Sequence, residues 1–108
     1  MATFYLSPQE YNAGNSSTAI TNNWDNGVTQ KVTMTGNCTF TFSNPITGAM
    51  YSLRLLQDDT GARTYTWPAA VKWPGGTTPT GSGANKTDMI FFYYDGTSYY
   101  GSYNLNYT

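Results

Sequence analysis

Six carboxylates, one thiol and no histidine are the groups through which this chain could do covalent chemistry. Without histidine, neither a Ser-His-Asp nor a Cys-His nucleophile system can be assembled, and most zinc sites lose a principal ligand. Cys38 sits in the alternating run Cys38-Thr39-Phe40-Thr41-Phe42 with no base beside it. It reads as a small buried hydrophobe, and a lone cysteine closes no internal disulfide. A glycosidase needs only two carboxylates, and Glu10, Asp25, Asp58, Asp59, Asp88 and Asp95 are available. Asp25, Asp59 and Asp95 fall in turn sequences, where aspartate bonds its own backbone. The Asp58-Asp59 pair is a weak calcium pattern. The expectation is no catalytic residue, no cofactor and no metal.

The aromatic residues offer non-covalent chemistry instead. Trp67, Trp73, Tyr99 and Tyr100 could stack on a pyranose face, although Trp and Tyr equally fill small cores and subunit interfaces. Trp67 alternates with Thr64 and Thr66 and is assigned to the core. Trp73, at the lip of a long loop, and Tyr99 are the candidate glycan contacts. Four Asn-x-Ser/Thr triplets begin at Asn15, Asn37, Asn85 and Asn106, as chance provides in a chain this rich in Asn and Thr.

Composition limits the partners. Charged residues make up 10% of the 108 positions, and aromatic residues 17%. An ordinary globular domain carries about 25% charged residues, so this surface is hydroxylic and amidic, as in dense assemblies and extracellular binding modules. The net charge is -1 and Lys31, Arg54, Arg63, Lys72 and Lys86 are scattered, which argues against nucleic acid. No signal-peptide pattern opens the chain, and no apolar run is long enough to cross a bilayer. Synthesis in a cytoplasm and release by lysis fit these features.

The elements that must position these groups are organised around Thr87–Tyr107. Met89 to Tyr94 is apolar or aromatic at every position, Asp95-Gly96 turns the chain, and Tyr99 to Tyr107 returns it. A strand with no polar face needs cover on both sides, from a second sheet or from another subunit. Ile90, Phe92, Tyr94, Tyr100 and Tyr103 are the expected trimer-interface or core residues. Upstream, Thr18–Trp24, Val28–Met34, Cys38–Phe42 and Met50–Gln57 read as strands of period two. Gln30 interrupts the apolar face of Val28, Val32 and Met34 and is placed near its edge. Thr35-Gly36-Asn37 predicts a second hairpin. Helix is the competing reading of Met50–Gln57, set aside because the segment is short and closed by a turn. Pro74–Asn85, without a hydrophobic anchor, is expected to lie at an exposed end. The fold class is therefore all-β, an antiparallel sandwich in one domain, with residues 22–108 as its body and 1–21 as an arm or first strand.

Three segments together carry a resemblance: TGNCTFTFSNP (35–45), RTYTWPAAVKWPGG (63–76) and YYDGTSYYGSYNL (93–105). They resemble a bacteriophage virion module of head-fibre, capsid-decoration and tail-fibre proteins, over roughly Asn22 to Tyr107. The resemblance implies a sandwich of jelly-roll character, assembled as a homotrimer on the virion surface. Fibre proteins carry long shafts before such a module, and here about twenty residues precede it. A non-enzymatic capsid decoration (cement) or short head-fibre protein on the phage head is accordingly the first expectation. Phe4, Tyr5 and Leu6 would then dock on the major capsid protein or another virion protein. The alternative is a tail-fibre tip module that binds host surface glycan. No nucleic acid or membrane partner is expected.

Overall fold

The structure is a computed structural model that describes residues 9–108. The docking segment expected at Phe4, Tyr5 and Leu6 lies outside the described residues. Among the described residues nine strands follow one another: β1 (Tyr11–Asn15), β2 (Ala19–Asn23), β3 (Thr29–Met34), β4 (Cys38–Ser43), β5 (Met50–Gln57), β6 (Tyr65–Thr66), β7 (Val71–Lys72), β8 (Thr87–Tyr94) and β9 (Tyr99–Tyr107). Two short 3-10 turns, Trp24–Asn26 and Pro74–Gly76, interrupt them. A six-stranded sheet runs β1-β3-β5-β8-β9-β7, and a three-stranded sheet runs β2-β4-β6.

Up to β6 the chain changes sheet at every connection. Each of these strands pairs in parallel with the strand two places away: β1 with β3, β3 with β5, β2 with β4, and β4 with β6. The first half is thus a stack of coils. Only then does the chain close antiparallel, with β8 between β5 and β9, and with β7 added in parallel to β9. The expected antiparallel sandwich of jelly-roll character is corrected here, because five of the seven ladders are parallel. The hairpin expected at Thr35-Gly36-Asn37 is corrected for the same reason. That turn carries the chain across the core, so β3 and β4 face each other instead of pairing. Period two specifies which face of a strand is buried and leaves open which strand lies beside it. The β8–β9 hairpin does form.

The core lies between the two sheets. From the large sheet it takes Val32, Met34, Tyr51, Leu53, Leu55, Ile90, Phe92 and Tyr99, and from the small sheet Cys38 and Phe40. Burial pushes the Cys38 thiol pKa up, as expected for a packing residue. Trp24 stacks on Tyr51 at 4.3 Å, and Phe40 on Trp67 at 4.6 Å. Val28 falls outside the buried set, because β3 begins one residue later. Gln30, placed near an edge by its polarity, is fully buried. Its amide donates to the carbonyls of Asn23 (2.8 Å) and Gly27 (3.0 Å) and accepts from Asn22 at 2.9 Å. A buried amide satisfied in this way costs little, and it ties the 3-10 corner to β3.

A second buried polar group anchors the other end. Asp88 is 0% exposed. It accepts from Tyr65 Oη at 2.6 Å, from Ser82 Oγ at 2.5 Å, and from the backbone N–H groups of Ser82 (3.1 Å) and Asn106 (2.9 Å). Gln57 joins this network by donating to Tyr65 Oη at 3.0 Å. The expectation that Pro74–Asn85 lies at an exposed end with nothing to bury is therefore corrected. Pro79 is buried, Gly81 lies too close to the Arg63 carbonyl to admit a side chain, and Ser82 is fixed by Asp88.

Two stability outcomes follow. Tyr65→Phe removes one donor to a buried carboxylate and one acceptor from Gln57, and should cost about 1–3 kcal/mol in urea unfolding. Gly101→Ala would drive a Cβ into the Trp73 ring; overpacking of this kind should cost about 1–3 kcal/mol in the same assay. An unchanged midpoint in either variant would show that the contact does not hold the fold.

Candidate functional site

Most of the carboxylates are engaged by groups of the fold itself. Asp88 is saturated by its four donors. Glu10 forms a two-bond pair with Arg54, both at 2.8 Å, and the bonded guanidinium holds its carboxyl below the usual range. Asp58 is bound by Arg63 at 2.9 Å and by the N–H groups of Thr60 and Gly61, which also lower it. Asp58, not Asp59, is thus the residue that closes this turn. Among the described residues no cluster of acidic or cysteine side chains could hold a metal ion.

The aromatic face gives a different picture. In β8 the even residues Ile90 and Phe92 enter the core, so Met89, Phe91 and Tyr93 point to the outside of the large sheet. In β9, Tyr99, Gly101 and Tyr103 point inward, while Tyr100, Ser102 and Asn104 point outward. The outer face accordingly carries Met50, Ser52, Arg54 and Leu56 from β5 beside Tyr93, Phe91, Met89 and Thr87 from β8. Beyond these lie Tyr100, Ser102, Asn104 and Tyr107 from β9. The outer face of the small sheet is unlike it, since Ala19, Thr21, Thr39, Thr41 and Thr66 are small, exposed and easily hydrated.

Exposure concentrates at the end of the large sheet nearest the β8–β9 turn. Met50 is 70% exposed, Tyr93 43% and Tyr100 49%. Tyr93 and Tyr100 are cross-strand partners, their ring centroids 6.5 Å apart and their planes inclined by 31°. Met50 flanks Tyr93 on β5 and Lys72 flanks Tyr100 on β7. Tyr100 Oη donates to Asp95 Oδ2 at 3.0 Å, and this bond to a carboxylate raises the phenol pKa. Asp95 Oδ1 accepts from the N–H groups of Thr97 (2.8 Å) and Ser98 (2.7 Å). The Ser98 N–H leads in holding this carboxyl below its usual range. Gly96 makes the turn possible with φ 101°. Two open rings on one sheet face, one of them bonded to a fixed carboxylate, can stack a sugar ring and accept hydrogen bonds from its hydroxyls.

The residues singled out in the sequence are distributed differently. Ile90 and Phe92 are core, and Tyr94 and Tyr103 are partly buried against it. Of the five, only Tyr100 is on the outer face. Tyr99 is 4% exposed, with its ring 5.9 Å from Phe92, so its assignment as a glycan contact is corrected. Trp73 is half-buried over Gly101, with Tyr103 and Phe92 rings 5.7 and 5.8 Å away, so its faces are largely occupied. Tyr93 and Met50 were missed. The alternation in Met89–Tyr94 divides it into two sets of three, and nothing local says which set faces inward.

The family described as "Putative phage tail fibre C-terminal domain" matches residues 14–99. No curated protein and no solved structure matches this chain. The matched span takes in β2 to β8 whole and the last two residues of β1, ending at Tyr99, the first residue of β9. It supports a tail-fibre place over the capsid-decoration and head-fibre reading, which gains nothing from it. A two-sheet all-β module with an aromatic core, matched over most of its length, belongs to the phage tail fibre C-terminal domain family.

Proposed function

We propose that this chain is the tip module of a tail fibre, a non-enzymatic structural protein that holds host surface glycan on Tyr93 and Tyr100. The observation that carries the reading is the pair of adjacent exposed tyrosines beside Asp95. A pyranose has one face of C–H groups and a rim of hydroxyls. The tyrosine rings serve the first and the carboxylate serves the second. The family supports the tail location, where such contact is made.

The same reading includes self-assembly as a homotrimer. Its support is the far end of the same sheet face, where Leu56 and Met89 stand near the exposed Tyr107. Self-association there would cover apolar surface that the small sheet cannot reach. It would leave the turn end, with Tyr93 and Tyr100, open at the tip. Each copy would then present one weak site, and three sites on one particle would sum to firm attachment.

Three outcomes are expected. On a glycan array, Tyr93→Ala and Tyr100→Ala should each lower binding at least about tenfold, equivalent to ~1.4 kcal/mol, with unfolding unchanged. Undiminished binding by both would remove the tyrosines from the site. Met89→Arg should convert trimers to folded monomers by light scattering; trimers that persist would move the interface elsewhere. Gold-labelled antibody should mark the tail tips of intact virions, and label spread over the head would return the decoration reading to first place.

A further inference from the structure

The oxygens at the turn end all point to one kind of partner. A carboxylate offers about four lone-pair positions. In Asp95, Oδ1 spends two on the Thr97 and Ser98 N–H groups, and Oδ2 spends one on Tyr100 Oη. One position on Oδ2 remains. Tyr100 Oη has committed its only proton to Asp95, so toward a ligand it can only accept. Two adjacent oxygens, 3.0 Å apart, therefore both require donors, and both lie at the edge of the open Tyr100 ring.

We propose that Asp95 and Tyr100 together determine the specificity of the tip, selecting a neutral pyranose with two free hydroxyls on neighbouring ring carbons. The proposal rests on reading Tyr93 and Tyr100 as the glycan platform, and it names the sugar class that platform takes. One hydroxyl donates to Asp95 Oδ2 and its neighbour donates to Tyr100 Oη, while the C–H face of the ring lies on the tyrosines. A vicinal pair suits this site because its two oxygens are close together, as the two acceptors are. An acidic sugar is disfavoured. Its carboxylate or phosphate would bring lone pairs and negative charge to a site that already holds both. Lys72 flanks Tyr100 from β7 and is the group such a sugar would need. Asp95 stays ionised through mildly acidic conditions because the N–H groups of Ser98 and Thr97 and the Tyr100 hydroxyl stabilise its charge.

The test uses the full chain in biolayer interferometry against immobilised mannan, galactan and dextran, and against polygalacturonate as the acidic probe. Binding should appear on at least one neutral polymer and exceed that on polygalacturonate. Oxidation of that polymer with periodate and reduction with borohydride, which cleaves vicinal diols, should abolish it. Asp95→Asn retains an acceptor for the turn N–H groups but replaces the Oδ2 acceptor by a donor. Tyr100→Phe retains the ring and removes Oη. Each should weaken binding at least tenfold with the unfolding midpoint unchanged, while Lys72→Gln should change it less than twofold. Preference for polygalacturonate with loss in Lys72→Gln would overturn the neutral-diol assignment and leave the glycan platform standing. Neutral binding that survives periodate, or both the Asp95 and Tyr100 changes, would overturn it in the same way. Binding to none of the polymers, with none on the wider glycan array, would overturn both.

Discussion

The ring of Phe92 sets the arrangement of everything around it. It meets Phe42 at 5.1 Å, Trp67 at 5.7 Å and Tyr99 at 5.9 Å, each edge to face. Those partners come from β4, from the segment after β6 and from β9, so one side chain joins both sheets and the closing hairpin. With Phe92 inside, the pleat of β8 leaves no choice for its neighbours, and Phe91 and Tyr93 must lie outside. The pairing of β8 with β9 then puts Tyr100 beside Tyr93. The candidate site is in this sense a consequence of core packing on the opposite face of the same strand.

Polar groups do the work that a small core cannot. The chain has few charges, and Asp88, which is fully buried, is tied to backbone N–H groups as well as to two hydroxyls. Asp88 gathers β6, the loop at Ser82 and the end of β9, while Gln30 holds the 3-10 corner after β2. Each is a satisfied buried acceptor or amide, and removing a partner would leave an unpaired group in a low-dielectric interior. Asp95 resembles Asp88 in being held by backbone N–H groups, but it sits at the surface, with an acceptor position open. That difference in exposure separates a structural aspartate from one able to meet a ligand.

The placement of the protein on the particle belongs to another level. Decoration on the head and display on a tail fibre ask the same things of a small β module: a stable core, a weakly charged surface and a face to share. The family match favours the second, whereas the number of residues preceding the module carries no physical information about where it is mounted.

Most local structure was legible in the amino-acid sequence. Strand positions β2 to β5, the β8–β9 hairpin, the Asp95-Gly96 turn and the buried Cys38 all follow from period two and turn chemistry, which act over a few residues. Non-local choices were not legible. The same alternation in β3 and β4 serves a hairpin or two facing sheets, and only the tertiary structure decided for parallel coils. A strand apolar on both faces gives no parity, so Tyr93 was passed over, and Tyr99 was assigned to a surface from which Phe92 and Tyr94 exclude it. Gln30 looked like an edge residue because nothing in the period of β3 shows that Asn22, Asn23 and Gly27 fold back over it, and Asp88 was only one of six available carboxylates because Tyr65 and Asn106, which bond it, lie far along the chain. Sequence pattern fixes what each residue prefers within its own strand; the contest between strands for one aromatic core settles which of those preferences face inward.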